Sequence, residues 1–281
     1  MTTEPMRIVT LVENTAGAPG LLGEHGLAFW LAIGSRHVLF DTGQGMALVH
    51  NAKELGVDLE RTDAIVLSHG HYDHTGGLRE ALHIAPHAKV YIHAAAFLPK
   101  YARNKDGTSR RIGMPALDEG KVRRRANAPV LTGKSTEILD GLFVTGEIPR
   151  VTEYEDTGGP FFSDEQCSRA DPLVDDQALF FECRQGTVVI LGCAHAGVIN
   201  TLRYIRELTE GKPIHAVTGG MHLVAASDGR LNRTIDAFRQ LEVDRLGPAH
   251  CTGIAATTKF LSVFPGKCHV CTVGTSVEFE V

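Results

Sequence analysis

A run from Ser68 to Gly77 restricts this chain more than any other feature. It reads SHGHYDHTGG and directly follows the apolar stretch from Ala64 to Leu67, which predicts a strand. Three imidazoles and one carboxylate fall close together in it: His69, His71, Asp73 and His74. Such donors suit Zn, Fe or Mn better than Ca or Mg. The run therefore predicts a transition-metal site at the end of a strand, with spacing that suits two adjacent cations.

Charge and composition exclude several classes of protein. The chain has 281 residues, 43% of them hydrophobic, and its net charge of -5 gives no reason to expect a nucleic-acid partner. No window approaches the roughly 18 apolar residues of a membrane span, and residues 1–10 lack the pattern of a secretion signal. We therefore expect a cytoplasmic protein with no membrane partner and with reduced cysteines rather than disulfides. A homo-oligomer is left open.

Apolar runs and amphipathic stretches predict a layered α/β fold. Val198 to Leu208 and Leu231 to Leu241 each place apolar residues on one helical face. Short Val-, Ile- and Phe-rich runs predict strands at 6–12, 27–33, 37–40, 64–67, 89–92, 142–145, 178–182, 187–191 and 214–218. An early hairpin followed by alternating strands and helices recurs, which indicates two similar halves. The alternating run from Cys268 to Val281 predicts a further strand, in which Cys268 and Cys271 pack rather than bind metal.

Two charged segments interrupt this pattern and are expected to lie near the site. Nine Lys and Arg residues occur in 100–125, the basic segment, and eight acids with only Arg169 occur in 153–176, the acidic segment. The basic segment, including Lys100, could bind a small anionic, phosphate-bearing substrate. Two alternatives remain open: the basic segment is a solvated face, or the acidic segment docks against it.

Single histidines in later loops offer additional metal ligands. His195 lies in LGCAHAG, His222 in TGGMHL and His250 in GPAHCTG, each near glycine at the expected end of a strand. Loops of a layered α/β fold gather at such ends to form a site. Cys193 and Cys251 are expected to pack, because sequence neighbours on a strand point to opposite faces. For His93, a role in the site and a purely structural role are both left open. The remaining histidines are expected on the surface or in the core: His25, His37, His50, His83, His87, His215 and His269.

From LFDTGQG at 39–45 to GPAHCTG, these motifs resemble the metallo-β-lactamase superfamily. The resemblance implies a four-layer αββα sandwich, formed as a single domain over 1–281, with two divalent ions that are most often Zn, although Fe or Mn also occur. Carried over by position, it implies one ion on His69, His71 and His195 and a second ion on Asp73, His74 and His250. Asp41 would brace the metal-binding loop.

The same resemblance also shows a departure and a narrower subgroup. Relatives usually carry a bridging aspartate where this chain has Gly219-Gly220, which implies a weaker second metal site or a mononuclear one. His222 could replace that ligand or donate a proton to the leaving group. Strings such as TGEIPR, which makes Arg150 a candidate phosphate contact, resemble a subgroup of metal-dependent hydrolases and relatives of a dihydropterin:ribofuranosylaminobenzene-phosphate synthase.

Three functions follow as hypotheses. The first is a hydrolase in which a metal-held hydroxide attacks a phosphoester, with Asp73 taking up the proton and His222 protonating the leaving group. The second is a pterin-type transferase that releases pyrophosphate. The third is a weakly catalytic metal-binding protein.

Overall fold

The computed structural model describes residues 5–116, 120, 122, 124 and 128–281. Its contacts divide the chain into two compact units. The first unit comprises Met1–Thr132, Pro160–Asp171 and Thr272–Val281, and the second comprises Gly133–Gly159 and Pro172–Cys271. The single domain expected from the sequence stays a prediction.

The strands fall where the apolar runs predicted them, with several short additions. Their bounds are β1 Met6–Val12, β2 Ala28–Ile33, β3 Arg36–Phe40, β4 Ala64–Val66, β5 Lys89–Ile92, β6 Tyr101–Arg103, β7 Ser109–Arg111, β8 Val130–Leu131, β9 Thr136–Leu139, β10 Leu142–Val144, β11 Phe161–Phe162, β12 Ala178–Cys183, β13 Gly186–Leu191, β14 Ile214–Gly220, β15 Arg245–Ala249 and β16 Ser276–Phe279. The α-helices described in full are Leu48–Glu54, Tyr72–Thr75, Leu78–Ile84, Val198–Leu208, Asp228–Gln240 and Ile254–Val263, and 3-10 turns occupy Leu59–Arg61, Ala94–Phe97 and His250–Thr252.

The first unit is built on a seven-stranded sheet in the order β16-β1-β2-β3-β4-β5-β8. β2 and β3 form an antiparallel hairpin, and β3, β4, β5 and β8 then run parallel. The helices Leu48–Glu54 and Leu78–Ile84 bury Leu48, Leu78 and Leu82 in one core cluster with apolar residues of the sheet. Parallel strands place the loops after β3, β4 and β5 at the same edge of this sheet.

The second unit repeats that order on a six-stranded sheet, β15-β14-β13-β12-β10-β9. β12 and β13 form the antiparallel hairpin, and β13, β14 and β15 run parallel. Its core cluster joins the strands to three helices, through residues such as Leu202, Phe238 and Phe260. The loops after β13, β14 and β15 therefore share one edge of this sheet.

Part of the acidic segment docks on the basic segment within the first unit. β11 pairs with β6, and β6 pairs with β7, to form a three-stranded sheet. The Lys100 ammonium lies 3.1 Å from the Asp171 carboxylate, and the Arg103 guanidinium donates to the Cys167 carbonyl at 2.6 Å. The basic residues Lys121, Arg123 and Arg125 lie outside the described residues.

Two elements differ from the sequence predictions by more than two residues at a boundary. The helix expected from Leu231 begins at Asp228, because the Ser227 side chain accepts the Arg230 N–H and caps it. The strand expected over Cys268–Val281 is wrong for most of its length, since only 276–279 is a strand. Cys268 forms an isolated bridge with Leu246 instead, within the second unit. Among the described residues, no helix combines the length and apolar character needed to cross a bilayer.

Candidate metal centre

In the first unit, Asp41 is the centre of a buried hydrogen-bond network. It follows β3 directly, with a φ of 60°, and its carboxylate is fully buried. One carboxylate oxygen accepts the Ser68 N–H at 2.7 Å, and the other accepts the Ser68 hydroxyl at 2.7 Å and lies 2.6 Å from Nδ1 of His74. The residue predicted to brace the loop therefore ties together the loops after β3 and β4.

This network sets the tautomers of two imidazoles. Because a carboxylate accepts, Nδ1 of His74 carries the proton that it donates to Asp41. Because the Ser68 hydroxyl donates to Asp41, its oxygen accepts from Nδ1 of His69 at 2.8 Å. Each ring then keeps a lone pair on Nε2, which is the form in which a neutral imidazole binds a metal ion.

The imidazoles of the SHGHYDHTGG run lie against one another. Nε2 of His69 is 2.9 Å from Nδ1 of His71, and the ring centroids of His69 and His74 are 4.3 Å apart. A tetrahedral ion with metal–nitrogen bonds near 2.1 Å separates its nitrogens by roughly 3.4 Å. Nε2 of His69 and Nδ1 of His71 are therefore close enough to bind the same ion.

Asp73 lies at the edge of this group. Its Oδ2 is 4.0 Å from Nε2 of His74 and 3.2 Å from Nε2 of His25. His25 was expected to be a surface or core residue, and its exposed ring also contacts a predicted ligand. No motif surrounds His25 in the sequence, so only the tertiary fold shows this contact.

In the second unit, the three single histidines lie in the loops after β13, β14 and β15. The rings of His195 and His222 are 4.3 Å apart between centroids. One ring nitrogen of each lies, with Sγ of Cys193, within a set of atoms that are all within 4.8 Å of one another. Sγ of Cys193 and of Cys251 and one nitrogen of His250 form a second such set.

A short piece of the acidic segment packs on these imidazoles. The Thr157 carbonyl lies 2.8 Å from Nδ1 of His195, so that nitrogen carries the proton and Nε2 keeps its lone pair. A Cβ added at Gly158 would lie 1.9 Å from Cδ2 of His222, and the φ of Gly158 is +85°. Only glycine fits this contact, both for space and for backbone conformation.

Glu155 anchors that piece to the start of the helix Val198–Leu208. Its carboxylate accepts the backbone N–H groups of Ile199 and Asn200, each at 2.9 Å. These are donors that a helix leaves unsatisfied in its first turn. Burial raises the pKa of Glu155, although these hydrogen bonds oppose the shift.

Two other buried groups have perturbed acidities. Burial raises the pKa of Asp176 to about 7, while its carboxylate accepts the Ala196 N–H at 2.8 Å. Burial would also raise the pKa of the Cys251 thiol, but its hydrogen bond with Cys193 and the charge of His222 hold that pKa well below its ordinary value. Burial would lower the pKa of His222, whereas Cys251 raises it above its ordinary value.

The two predicted substrate contacts are engaged within the protein. Lys100 is 1% exposed and pairs with Asp171. Arg150 donates from Nη1 to the His195 carbonyl at 2.9 Å and from Nη2 to the Pro172 carbonyl at 2.6 Å. Arg150 therefore holds the backbone of a predicted ligand, and these contacts favour structural roles for both cations.

The expectation that Cys193 and Cys251 point away from the imidazoles is wrong. It assumed the alternation of an extended strand, but Cys193 lies beyond the end of β13 and Cys251 lies in the 3-10 turn His250–Thr252. A residue next to each cysteine has a positive φ: 53° at Ala194, which follows Cys193, and 49° at His250, which precedes Cys251. All six cysteines are free thiols.

Comparisons with known proteins agree with this architecture. The model of the metallo-beta-lactamase superfamily matches residues 22–259. The uncharacterized protein MJ0448 of Methanocaldococcus jannaschii is 35% identical over 255 residues, covering 90% of this chain and 93% of that protein. The 7,8-dihydropterin-6-methyl-4-(beta-D-ribofuranosyl)-aminobenzene-5'-phosphate synthase of the same organism is 27% identical over 270 residues, covering 92% of each chain. The crystal structure of Tm1679, a metal-dependent hydrolase of the beta-lactamase superfamily, has a TM-score of 0.83 and 33% identity, covering 98% of this chain and 100% of that one.

This chain belongs to the metallo-β-lactamase superfamily, whose members are mostly metal-dependent hydrolases. Its fold is the metallo-β-lactamase fold, so the predicted αββα class is confirmed. The fold implies divalent metal binding, and the donors of each unit fit such an ion. Among these donors, His74, His69 and His195 have Nδ1 held by Asp41, Ser68 and Thr157, respectively, which leaves Nε2 for the metal.

Proposed function

We propose that this protein is a hydrolase that cleaves a small phosphoester with the help of bound divalent metal. The observation that carries the proposal is the fixed tautomer of His69, His74 and His195, each held at Nδ1 by a hydrogen-bonding partner. From the resemblance of the sequence motifs, we expect His69, His71 and His195 to bind one ion. We expect Asp73, His74 and His250 to bind a second. When bound, a divalent ion lowers the pKa of a coordinated water to about 7 and polarises a phosphoryl oxygen. Zn best matches imidazole donors of this kind.

Two residues are assigned to proton transfer. Asp73 accepts the proton of the attacking water, and its contact with His25 at 3.2 Å holds the carboxylate in place. His222 donates a proton to the leaving group, and its ring lies against that of the predicted ligand His195, with the centroids 4.3 Å apart.

Arg230 supports an anionic substrate better than the two cations expected from the sequence. Its side chain is 5% exposed, and Nη1 lies 2.5 Å from Oδ1 of Asp156. Nε and Nη2 are buried and have no hydrogen-bond partner among the residues that the structure describes. Leaving such donors unsatisfied costs about 1–3 kcal/mol each, and more for a charged group. A phosphate oxygen would satisfy them, and Arg230 lies near enough to His222 for its charge to act on that ring.

The test is turnover of a substrate panel by metal-depleted protein reloaded with zinc. The panel contains phosphomonoesters, phosphodiesters, lactones and thioesters, and Arg230→Met is compared with Arg239→Met. Arg239 is in the same helix but pairs with Asp236 in an exposed position. We expect Arg230→Met to reduce kcat/KM for the phosphoester by roughly 10- to 100-fold, the value of a charged hydrogen bond, and Arg239→Met to leave it unchanged.

Other outcomes would contradict the proposal in different ways. An equal loss on a neutral lactone would remove the phosphate assignment of Arg230 but keep the hydrolase. A zinc-loaded sample inert against the whole panel would favour the weakly catalytic metal-binding protein.

The second candidate is a transferase, favoured by the 27% identity with the dihydropterin synthase of Methanocaldococcus jannaschii. It predicts release of pyrophosphate that depends on a dihydropterin co-substrate. Phosphoester hydrolysis without any co-substrate would exclude that reading.

A further inference from the structure

Two thiols of the second unit lie among imidazoles rather than in the apolar core. Cys193 is 2% exposed and Cys251 is 8% exposed. Neither belongs to the hydrophobic core cluster of the second unit, although Cys268 does. Simple packing therefore accounts for Cys268 better than for these two residues.

The geometry points to Cys193 and Cys251 as metal ligands, which bind one ion through both sulfurs together with a ring nitrogen of His250. This inference rests on the metal binding of the proposed function and adds two donors to the ligands that the sequence predicted. The three atoms lie within 4.8 Å of one another. Around a tetrahedral Zn with Zn–S bonds near 2.3 Å, two sulfurs are roughly 3.8 Å apart. Each pair therefore needs to approach by about 1 Å at most, which side-chain rotation can supply.

The backbone makes room for the second sulfur. A Cβ added at Gly220 would lie 2.6 Å from Sγ of Cys251 and 3.3 Å from Cα of Cys193. The sulfur of Cys251 thus occupies the space that any larger residue at 220 would fill. Its sulfur makes a weak hydrogen bond to the Cys193 carbonyl at 3.6 Å and another with His222, and both are weak enough for a metal ion to replace them.

Thiolate donors change which ion the protein prefers. Cysteine sulfur selects Zn, Cd or Cu(I), whereas Mg and Mn favour oxygen ligands. Cys193 also lies within 4.8 Å of one nitrogen of His195, so its sulfur is close to both predicted ligands of this unit, His195 and His250. We therefore expect an ion held by nitrogen and sulfur, rather than by nitrogen and carboxylate alone.

Cobalt substitution tests the assignment directly. Metal-depleted protein is titrated with Co²⁺ under reducing conditions, and the near-ultraviolet absorption is recorded for wild type, Cys193→Ser, Cys251→Ser and Cys271→Ser. Cys271 is a matched control, since it is buried in the same unit and contacts Thr218. We expect a thiolate-to-cobalt charge-transfer band in wild type and Cys271→Ser that each of the other variants weakens. The affinity for Zn should fall by more than the ~10- to 100-fold that a change outside the ligands costs.

A second measurement needs no variant. The ¹¹³Cd resonance of cadmium-loaded wild type shifts strongly downfield when sulfur binds the ion, so it reads the donors even if a serine variant fails to fold. Normal uptake of cobalt and cadmium with no charge-transfer band and with a resonance typical of nitrogen and oxygen donors would overturn the thiolate assignment alone. Failure to take up any metal would overturn the proposed function as well. A Cys193–Cys251 disulfide that persists in reductant, detected by mass spectrometry, would also contradict the assignment of these thiolates as metal ligands.

Discussion

Replacing Asp41 by asparagine should weaken metal binding through a change of tautomer in residues that it contacts. The amide oxygen of asparagine can still accept the Ser68 N–H, but the amide nitrogen would stand where Oδ2 now accepts from two groups. It would then face the Nδ1–H of His74 with a donor of its own. The conflict is relieved when His74 moves its proton to Nε2, and that nitrogen then has no lone pair for a metal ion.

The magnitude follows from the bonds that Oδ2 makes. Two charge-assisted hydrogen bonds at 2.7 and 2.6 Å, each contributing about 1.5–3 kcal/mol, are replaced by neutral ones that contribute about 0.5–1.5 kcal/mol, so the metal-free protein should lose roughly 2–3 kcal/mol of unfolding free energy. Zinc affinity should fall by about 10- to 100-fold, as expected for a residue that orients ligands.

Three measurements check this expectation. Urea unfolding gives the stability change, competition with a chromophoric chelator gives the zinc affinity, and ¹⁵N NMR of the imidazoles gives the tautomer of His74. Asp63→Asn is the matched control, because Asp63 also accepts a backbone N–H, from His37 at 2.7 Å, in the same unit. Zinc affinity of Asp41→Asn within about twofold of wild type, with the proton still on Nδ1, would refute the reasoning.

Three additional substitutions test other contacts. Gly158→Ala should lower zinc affinity by about tenfold, because its Cβ would collide with His222, whose ring packs on the predicted ligand His195; equal affinity by chelator competition would show that His195 does not depend on this glycine. Burial raises the pKa of Asp176 from 3.8 to about 7, so its contribution to stability is complete below pH 3.8 and is lost, by up to about 4 kcal/mol, as the pH rises through 7. Asp176→Asn should flatten this slope in urea unfolding of the metal-free protein, and a slope that persisted would assign it to other groups. Lys100→Met should cost about 3–5 kcal/mol of unfolding free energy, since it leaves the Asp171 carboxylate, which is only 10% exposed, without this cation; a raised KM in a fully folded variant would instead support a role in substrate binding.

The sequence predicts most of the fold because its apolar runs are short and clearly separated. The helix Val198–Leu208 has the predicted bounds, and strands such as β1 and β5 begin and end where their runs do. The run after Cys268 misled the prediction because it crosses from the second unit to the first at Thr272. Only its last part pairs with a neighbouring strand, β1.

The sequence could not predict the roles of site residues that depend on tertiary contacts. The SHGHYDHTGG run places its metal-ligating residue types close together in the sequence, so the sequence alone predicts a metal site there. Arg230 lies in an ordinary helical stretch, and only the packed helix shows that its guanidinium is buried beside Asp156. The thiols of Cys193 and Cys251 meet because two loops turn at strand ends, and a rule for extended chain cannot describe a turn.

Several residues at these strand ends hold left-handed backbone conformations: Asp41 at φ 60°, Ala194 at 53°, His222 at 44° and His250 at 49°. For residues other than glycine this conformation costs on the order of 1–2 kcal/mol each. A sequence selected for stability alone would have glycine at such turns. Laboratory selection for thermal stability, without selection for activity, should therefore replace these residues first. The residues that are replaced would mark the positions where this protein loses stability in order to place groups needed for activity.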